Sequence, residues 1–154
     1  MTPKQYEQLN HFFVRTFNSI LAFEERALSD MGIENVSVKE SHVIEIVVEL
    51  EKTKQNSMTN IAEGLNITVG ALSTAVQTLI KKGYLERNYD PSDRRLVLIS
   101  ATEAGHRVNQ IHEKFHQDMI QHVAEKLNPE DLDRLTLSLE QLSVFFESIS
   151  KKQT

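Results

Sequence analysis

The sequence predicts a mainly α fold with a small β element at its centre, and three observations carry that expectation. Apolar residues recur at helical spacing along both ends of the chain. In the middle, two short, well-capped helical patterns are separated by a tight turn. Immediately after them, two β-prone runs flank a polar loop that contains proline. This order describes an α+β winged helix-turn-helix with long N- and C-terminal helices.

The first pattern places Leu9, Phe13, Phe17, Ile20, Leu21 and Leu28 at helical spacings, which predicts one long amphipathic helix over 6–31. Residues 32–35, opening with Gly32, break it. Ser37, with Glu40 three residues on, forms a capping box ahead of an apolar run over 38–50, so a second helix begins there. The polar residues 51–56 read as a connection. Ser57 then caps a short helix carrying Ile61, Ala62 and Leu65, and Asn66 makes the turn. Thr68 caps the next helix, whose inner face is Leu72, Ala75, Val76, Leu79 and Ile80. It ends at Lys81, Lys82 and Gly83, where glycine accepts a left-handed cap.

Residues 84–87 and 96–99 predict the two strands of a hairpin, the wing, around the loop Asp90, Pro91, Ser92, Asp93, Arg94, Arg95. Thr102 caps a long helix from 103 to about 127, with Val108, Ile111, Phe115, Met119, Ile120 and Val123 on one stripe. Asn128 and Pro129 start a last helix that runs to about 150. Its Leu132, Leu135, Leu139, Leu142, Phe145, Phe146 and Ile149 exceed what one helix on a small domain needs. The surplus predicts a dimer interface.

Composition narrows the function. With 154 residues, 40% of them hydrophobic, the chain suits one core and no disordered or fibrous class. No apolar run approaches bilayer length and residues 1–10 lack a signal-peptide core, so a cytoplasmic location and no membrane partner are expected. The absence of cysteine excludes disulfides, thiolate metal sites and thiol redox switching. The formal charge of −5 argues against non-specific coating of nucleic acid. Contact with DNA is local, however. Over 57–100, Lys81, Lys82, Arg87, Arg94 and Arg95 oppose Glu63, Glu86, Asp90 and Asp93, a net of +1 that leaves −6 elsewhere. No Gly-rich phosphate loop, nucleophile elbow or metalloprotease pair appears, so no catalytic residues and no resident cofactor are expected.

With Leu72, Val76 and Leu79 turned inward, the helical period puts Gly70, Ala71, Ser73, Thr74 and Gln77 on the outer face of the second short helix. Gln77 suits a bidentate contact to adenine, Ser73 and Thr74 suit bases or phosphates, and Ala71 suits a thymine methyl. Arginine is missing from that face, which favours A·T-rich sites. Arg94 and Arg95 at a hairpin tip suit a narrow minor groove, with Asp93 placed to hold one guanidinium. Ser57, Thr68 and Lys81 complete the candidate DNA-contact set. The rival reading, a protein-interaction module that has lost DNA binding, is opposed by Arg94, Arg95 and the uncluttered outer face.

The order Ala62, Leu65, Asn66, Ile67, Thr68, Leu72, Ser73, Val76, Leu79, Lys82, Gly83, Tyr84, Leu85, Arg87, then Asp90, Asp93, Arg94, Arg95, then Thr102 and Gly105, resembles the MarR family of transcriptional regulators. The resemblance implies one MarR-type domain over 1–154, with 37–101 as its DNA-binding part and 1–34 with 103–154 as its helical dimerisation part. It also implies a homodimer on double-stranded DNA, with recognition helices in successive major grooves of an A·T-rich pseudopalindrome and wings in the flanking minor grooves. Ala101 departs from the family, which commonly has a larger apolar residue before the threonine.

Within that family, Phe17, Asn18, Ile20, Leu21, Glu24, Glu25, then Ser37, Val38, Lys39, Glu40, His42, and later His112, Glu113, Lys114, Phe115, His116, look like the fatty-acid-biosynthesis repressor (FabT-like) subgroup of Gram-positive cocci and lactobacilli. That resemblance implies an acyl chain on acyl carrier protein as effector, strengthening the hold on DNA. Phe13, Phe17, Ile20, Leu21, Val43 and Ile46 are the candidate apolar pocket for it, or simply core. A competing effector is zinc, because His112 and His116 stand at i, i+4, and Glu24 and His42 are the candidates to complete the shell. Zinc-responsive relatives also use a carboxylate where this chain has Ser41, a departure from their pattern. A MarR-type response to another small molecule stays open beside these two.

Overall fold

The protein is described by a computed structural model covering residues 1–89 and 96–150. Its described elements are α1 (Pro3–Asp30), α2 (Val38–Glu51), α3 (Met58–Gly64), α4 (Val69–Lys81), β1 (Leu85–Tyr89), β2 (Val97–Ala101), α5 (Glu103–Ala124) and α6 (Pro129–Ser150). Residues 1–115 form one compact unit, and a second begins at His116. This is the mainly α architecture, with a single two-stranded antiparallel sheet among the described residues, that the sequence predicts.

The core of the first unit is built where the winged helix needs it. Ile44 and Val47 of α2, Ile61 of α3, Leu72, Val76 and Leu79 of α4, Ile99 of β2 and Val108 of α5 are fully buried, and Leu85 of β1 nearly so. Each such side chain contributes roughly 1.5–3 kcal/mol relative to exposure. α1 adds Leu28 to this core and leaves Leu9, Phe12, Val14, Phe17, Leu21 and Phe23 exposed in the single chain. In the second unit, Leu132, Leu135 and Leu142 are half-buried, whereas Leu137, Leu139, Val144, Phe145 and Phe146 are exposed. Two of the residues on the expected α5 stripe, Ile120 and Val123, are likewise exposed.

Helix starts follow the sequence closely because their causes are local. Ser37 Oγ accepts the Glu40 N–H while a Glu40 oxygen accepts the Ser37 N–H, and Ser57 and Thr68 cap α3 and α4 through the N–H groups of Asn60 and Ala71. Helix ends share one device. At the end of α4, Gly83 (φ 81°) gives its N–H to Ile80 and Tyr84 gives its N–H to Leu79, the paired bonds of a left-handed cap. Asn66 (φ 53°) ends α3 with the same pair of bonds, to Glu63 from its own N–H and to Ala62 from Ile67. Lys54 (φ 57°) does so after α2, although it carries a Cβ that glycine lacks.

Several boundaries differ from expectation, and α1 begins at Pro3, behind a capping box of Thr2 and Gln5, rather than at residue 6. The strands run Leu85–Tyr89 and Val97–Ala101 rather than over 84–87 and 96–99. Tyr84, β-prone by type, has its N–H committed to capping α4, so pairing starts one residue later, with Leu85 opposite Ala101 and Tyr89 opposite Val97. α5 stops at Ala124, short of 127, because Lys126 and Leu127 bond back to Val123 and Ala124 in a tightened last turn. Asn128 then caps α6 by accepting the Asp131 N–H. Among the described residues, no helix is long and apolar enough to cross a membrane.

Candidate nucleic-acid interface

α3 and α4 form the helix-turn-helix, and burial divides α4 along its length. Leu72, Val76 and Leu79 have no exposed surface, while Gly70, Ala71, Thr74, Gln77 and Lys81 are exposed on the opposite side. Ser73 is half-buried, at the margin of that face rather than in its middle. The hydroxyls of Ser57 and Thr68 are engaged as helix caps. Gln77 and Lys81 make no side-chain hydrogen bond or ion pair among the described residues. A Cβ built at Gly70 meets only Thr68 Oγ1, at 3.9 Å. The protein's own packing therefore does not demand glycine there, and its lack of a side chain leaves the first turn of α4 open to close approach. Asp93, Arg94 and Arg95, the expected wing-tip contacts, lie outside the described residues together with Asp90, Pro91 and Ser92.

A second cluster sits at the junction of α1, α2 and α5. Glu24 Oε1 lies 3.4 Å from His112 Nε2 and 3.6 Å from His42 Nε2, and the two imidazoles meet edge to face with centroids 5.0 Å apart. Glu24 and His112 are almost completely buried, and His112 Nδ1 faces Glu45 Oε2 at 3.6 Å. One ligating atom from each of Glu24, His42 and His112 lies within 4.8 Å of the others. His116, the fourth residue of the expected shell, belongs to the second unit. The apolar candidates fall in two places. Val43 is in the core and Ile46 faces α3, with its Cγ2 3.1 Å from a Cβ built at Gly64. Phe13 and Phe17 stack on one another along α1 at 6.1 Å, with Phe17 and Leu21 exposed and Ile20 half-buried.

A family model described as a winged helix DNA-binding domain matches residues 37–105. The multiple antibiotic resistance protein MarR of Escherichia coli is 30% identical over 79 residues, 51% of this chain and 55% of that protein. The chain thus spans about half the length of the curated relatives it matches. Among solved structures, Streptococcus pneumoniae FabT in complex with DNA superposes with a TM-score of 0.82 and 27% identity, covering 94% of this chain and 99% of that one. Over its winged helix the chain is similar to MarR. The S. aureus MepR–DNA complex, at 16% identity and a TM-score of 0.73 over 88% of this chain and 96% of that one, has the same fold. The part of the chain matched by the family model, residues 37–105, is a winged helix DNA-binding domain.

The braces around the helix-turn-helix and the hairpin are residues that sequence patterning does not single out. Asn56, assigned to a polar connection, is buried at 4% exposure. Its carbonyl accepts the Ile99 N–H at 2.9 Å, and its Nδ2 donates to the Ile99 carbonyl at 2.8 Å, which ties the start of the helix-turn-helix to β2. Glu51 Oε1 accepts the Ala101 N–H at 2.8 Å. Glu40 receives Lys82 Nζ on both oxygens, at 2.7 and 2.8 Å, and so links the first turn of α2 to the end of α4. Burial pulls the Glu40 carboxyl upward, yet the bonds from Lys82 and Ser37 outweigh it and hold the group below its ordinary value of 4.5. Tyr84 adds a parallel link by donating its hydroxyl to Asn35 Oδ1 at 2.6 Å. The clue available from sequence was the amphipathic excess of Glu on the otherwise apolar α2.

Proposed function

We propose that this chain is a homodimeric, sequence-specific DNA-binding transcriptional regulator that represses fatty-acid biosynthesis genes in response to acyl chains on acyl carrier protein. The observation that carries DNA binding is α4 itself. Its inner face is locked by Leu72, Val76 and Leu79, while Thr74, Gln77 and Lys81 remain exposed on the outer face with their side chains uncommitted among the described residues. Rigid backing with free polar side chains is what base-edge readout requires. The homodimer is supported by the many large apolar side chains that α1 and α6 leave exposed in the single chain, Phe12, Phe17, Phe23, Phe145 and Phe146 among them. The fatty-acid role is supported by the likeness to FabT along 94% of the chain and by the FabT-like residues of α1, α2 and α5.

A zinc-responsive regulator is a second reading, favoured by one observation. A tetrahedral site with metal–donor bonds of about 2.0–2.1 Å has donor edges of roughly 3.3 Å. The Glu24–His112 and Glu24–His42 edges, 3.4 and 3.6 Å, are near that spacing. Glu24, His42 and His112 would hold the ion, which would act by fixing α1, α2 and α5 to one another.

The test is a fluorescence-anisotropy titration of a labelled A·T-rich pseudopalindromic duplex, repeated with acylated carrier protein, unacylated carrier protein, zinc and a chelator. The proposal expects duplex binding whose affinity changes with the acylated carrier protein alone. A response to zinc that chelation reverses selects the second reading, and binding indifferent to all four additions overturns both effectors.

A further inference from the structure

We propose that Lys81 and Arg87 form a phosphate clamp in the seam between α4 and the hairpin, gripping the DNA strand that separates the major groove from the adjoining minor groove. The inference rests on the reading of α4 as the helix that enters the major groove. A helix in one groove and a wing in the next must straddle a single sugar–phosphate strand, so the seam between them lies over that strand.

The hairpin sorts its charges accordingly. Side chains alternate along β1, so Arg87 shares a face with Leu85, which is buried in the core beneath α4. The acidic residue of the strand, Glu86, falls on the opposite face, where it accepts a hydrogen bond from Asn88 Nδ2 at 3.2 Å. Arg87 joins Gln77, Ile80 and Lys81 in lining an open recess of about 320 Å³, to which no carboxylate contributes. Neither the Lys81 nor the Arg87 side chain has a hydrogen bond or ion pair among the described residues, whereas the neighbouring Lys82 is held by Glu40. Two uncommitted cations converging on a carboxylate-free recess beside a groove-reading helix suit a bridging anion. A phosphate oxygen supplies one, and the arginine fork matches it in geometry.

A phosphate contact positions the protein without reading bases, so its loss has a signature distinct from that of Gln77. The experiment measures the affinity of the full chain for its duplex between about 50 and 200 mM salt, for the wild type, Arg87→Ala, Arg87→Lys, Lys81→Ala and Gln77→Ala, with thermal melts of each. The clamp predicts that Arg87→Ala and Lys81→Ala each reduce the slope of log affinity against log salt by about 1.8, roughly 0.9 for each of the dimer's two clamps, and weaken matched and base-substituted duplexes by the same factor. Arg87→Lys keeps the slope, and Gln77→Ala keeps the slope while changing base preference. Unchanged slopes for both alanine variants, or losses confined to particular base pairs, overturn the clamp alone. A wild type that binds no duplex overturns the DNA reading and the clamp with it.

Discussion

Asn56 is the residue whose replacement tests the structural account most sharply, because its side chain joins two elements far apart in sequence. Its Nδ2 donates to the Ile99 carbonyl at 2.8 Å and approaches Ser100 Oγ at 3.4 Å, in a site only 4% exposed. Asn56→Ala removes the donor and leaves a buried carbonyl facing a small void, a cost of about 1–3 kcal/mol. For a chain of this length each kcal/mol lowers Tm by about 2–4 °C, so a fall of roughly 3–10 °C is expected at fixed protein concentration. Asn56→Asp is nearly isosteric but turns the donor into a second acceptor aimed at the same carbonyl, and it is expected to cost more than alanine. Differential scanning fluorimetry of the three proteins, repeated at rising pH to draw the buried aspartate into its ionised form, ranks them. An Asn56→Asp protein as stable as the wild type would refute the tether.

Three further outcomes follow from local geometry. Gly105→Ala drives a Cβ into the Tyr84 carbonyl at the start of α5, so a loss of about 1–3 kcal/mol or more is expected in denaturant unfolding, with misfolding at the upper end. Lys54→Gly relieves a left-handed backbone at φ 57° and is expected to stabilise by up to about 1 kcal/mol, read as a higher denaturation midpoint. Glu40→Gln keeps the capping box but loses the charge that Lys82 meets, at a cost of about 1 kcal/mol or less near neutral pH. Because the folded Glu40 titrates below 4.5, its contribution is complete above that pH and fades as pH falls through the lower folded value. The difference in Tm between wild type and variant therefore closes in acid.

Much of this architecture was legible in the sequence because its causes are local. Ser37, Ser57, Thr68 and Asn128 each cap a helix through an N–H three residues away, and Asn66 and Gly83 take the left-handed conformation their types favour. The inner face of α4 was legible from its period. What periodicity cannot carry is partnership across the chain. Asn56 meets Ile99, Glu51 meets Ala101 and Lys82 meets Glu40, all more than forty residues apart, so these polar residues look like ordinary solvated positions until the fold brings them together. Tyr84 misled for a related reason, since its β-prone ring hides a backbone N–H already committed to ending α4. For the effector cluster, His112 was visible only as half of an i, i+4 pair, whereas its buried partner Glu24 comes from a helix 88 positions earlier in the sequence.

The central claim is that α4 and the hairpin read double-stranded DNA, and one competition measurement addresses it directly. The full chain is titrated onto an A·T-rich pseudopalindromic duplex selected from a randomised pool, and onto a scrambled duplex of the same composition, at one salt concentration near 0.15 M. The account predicts two chains per duplex and an affinity for the selected site tighter by about 10³-fold or more, with the gap narrowing when Thr74 and Gln77 are replaced by alanine. Equal affinity for the selected and scrambled duplexes, or a gap untouched by those replacements, would contradict it.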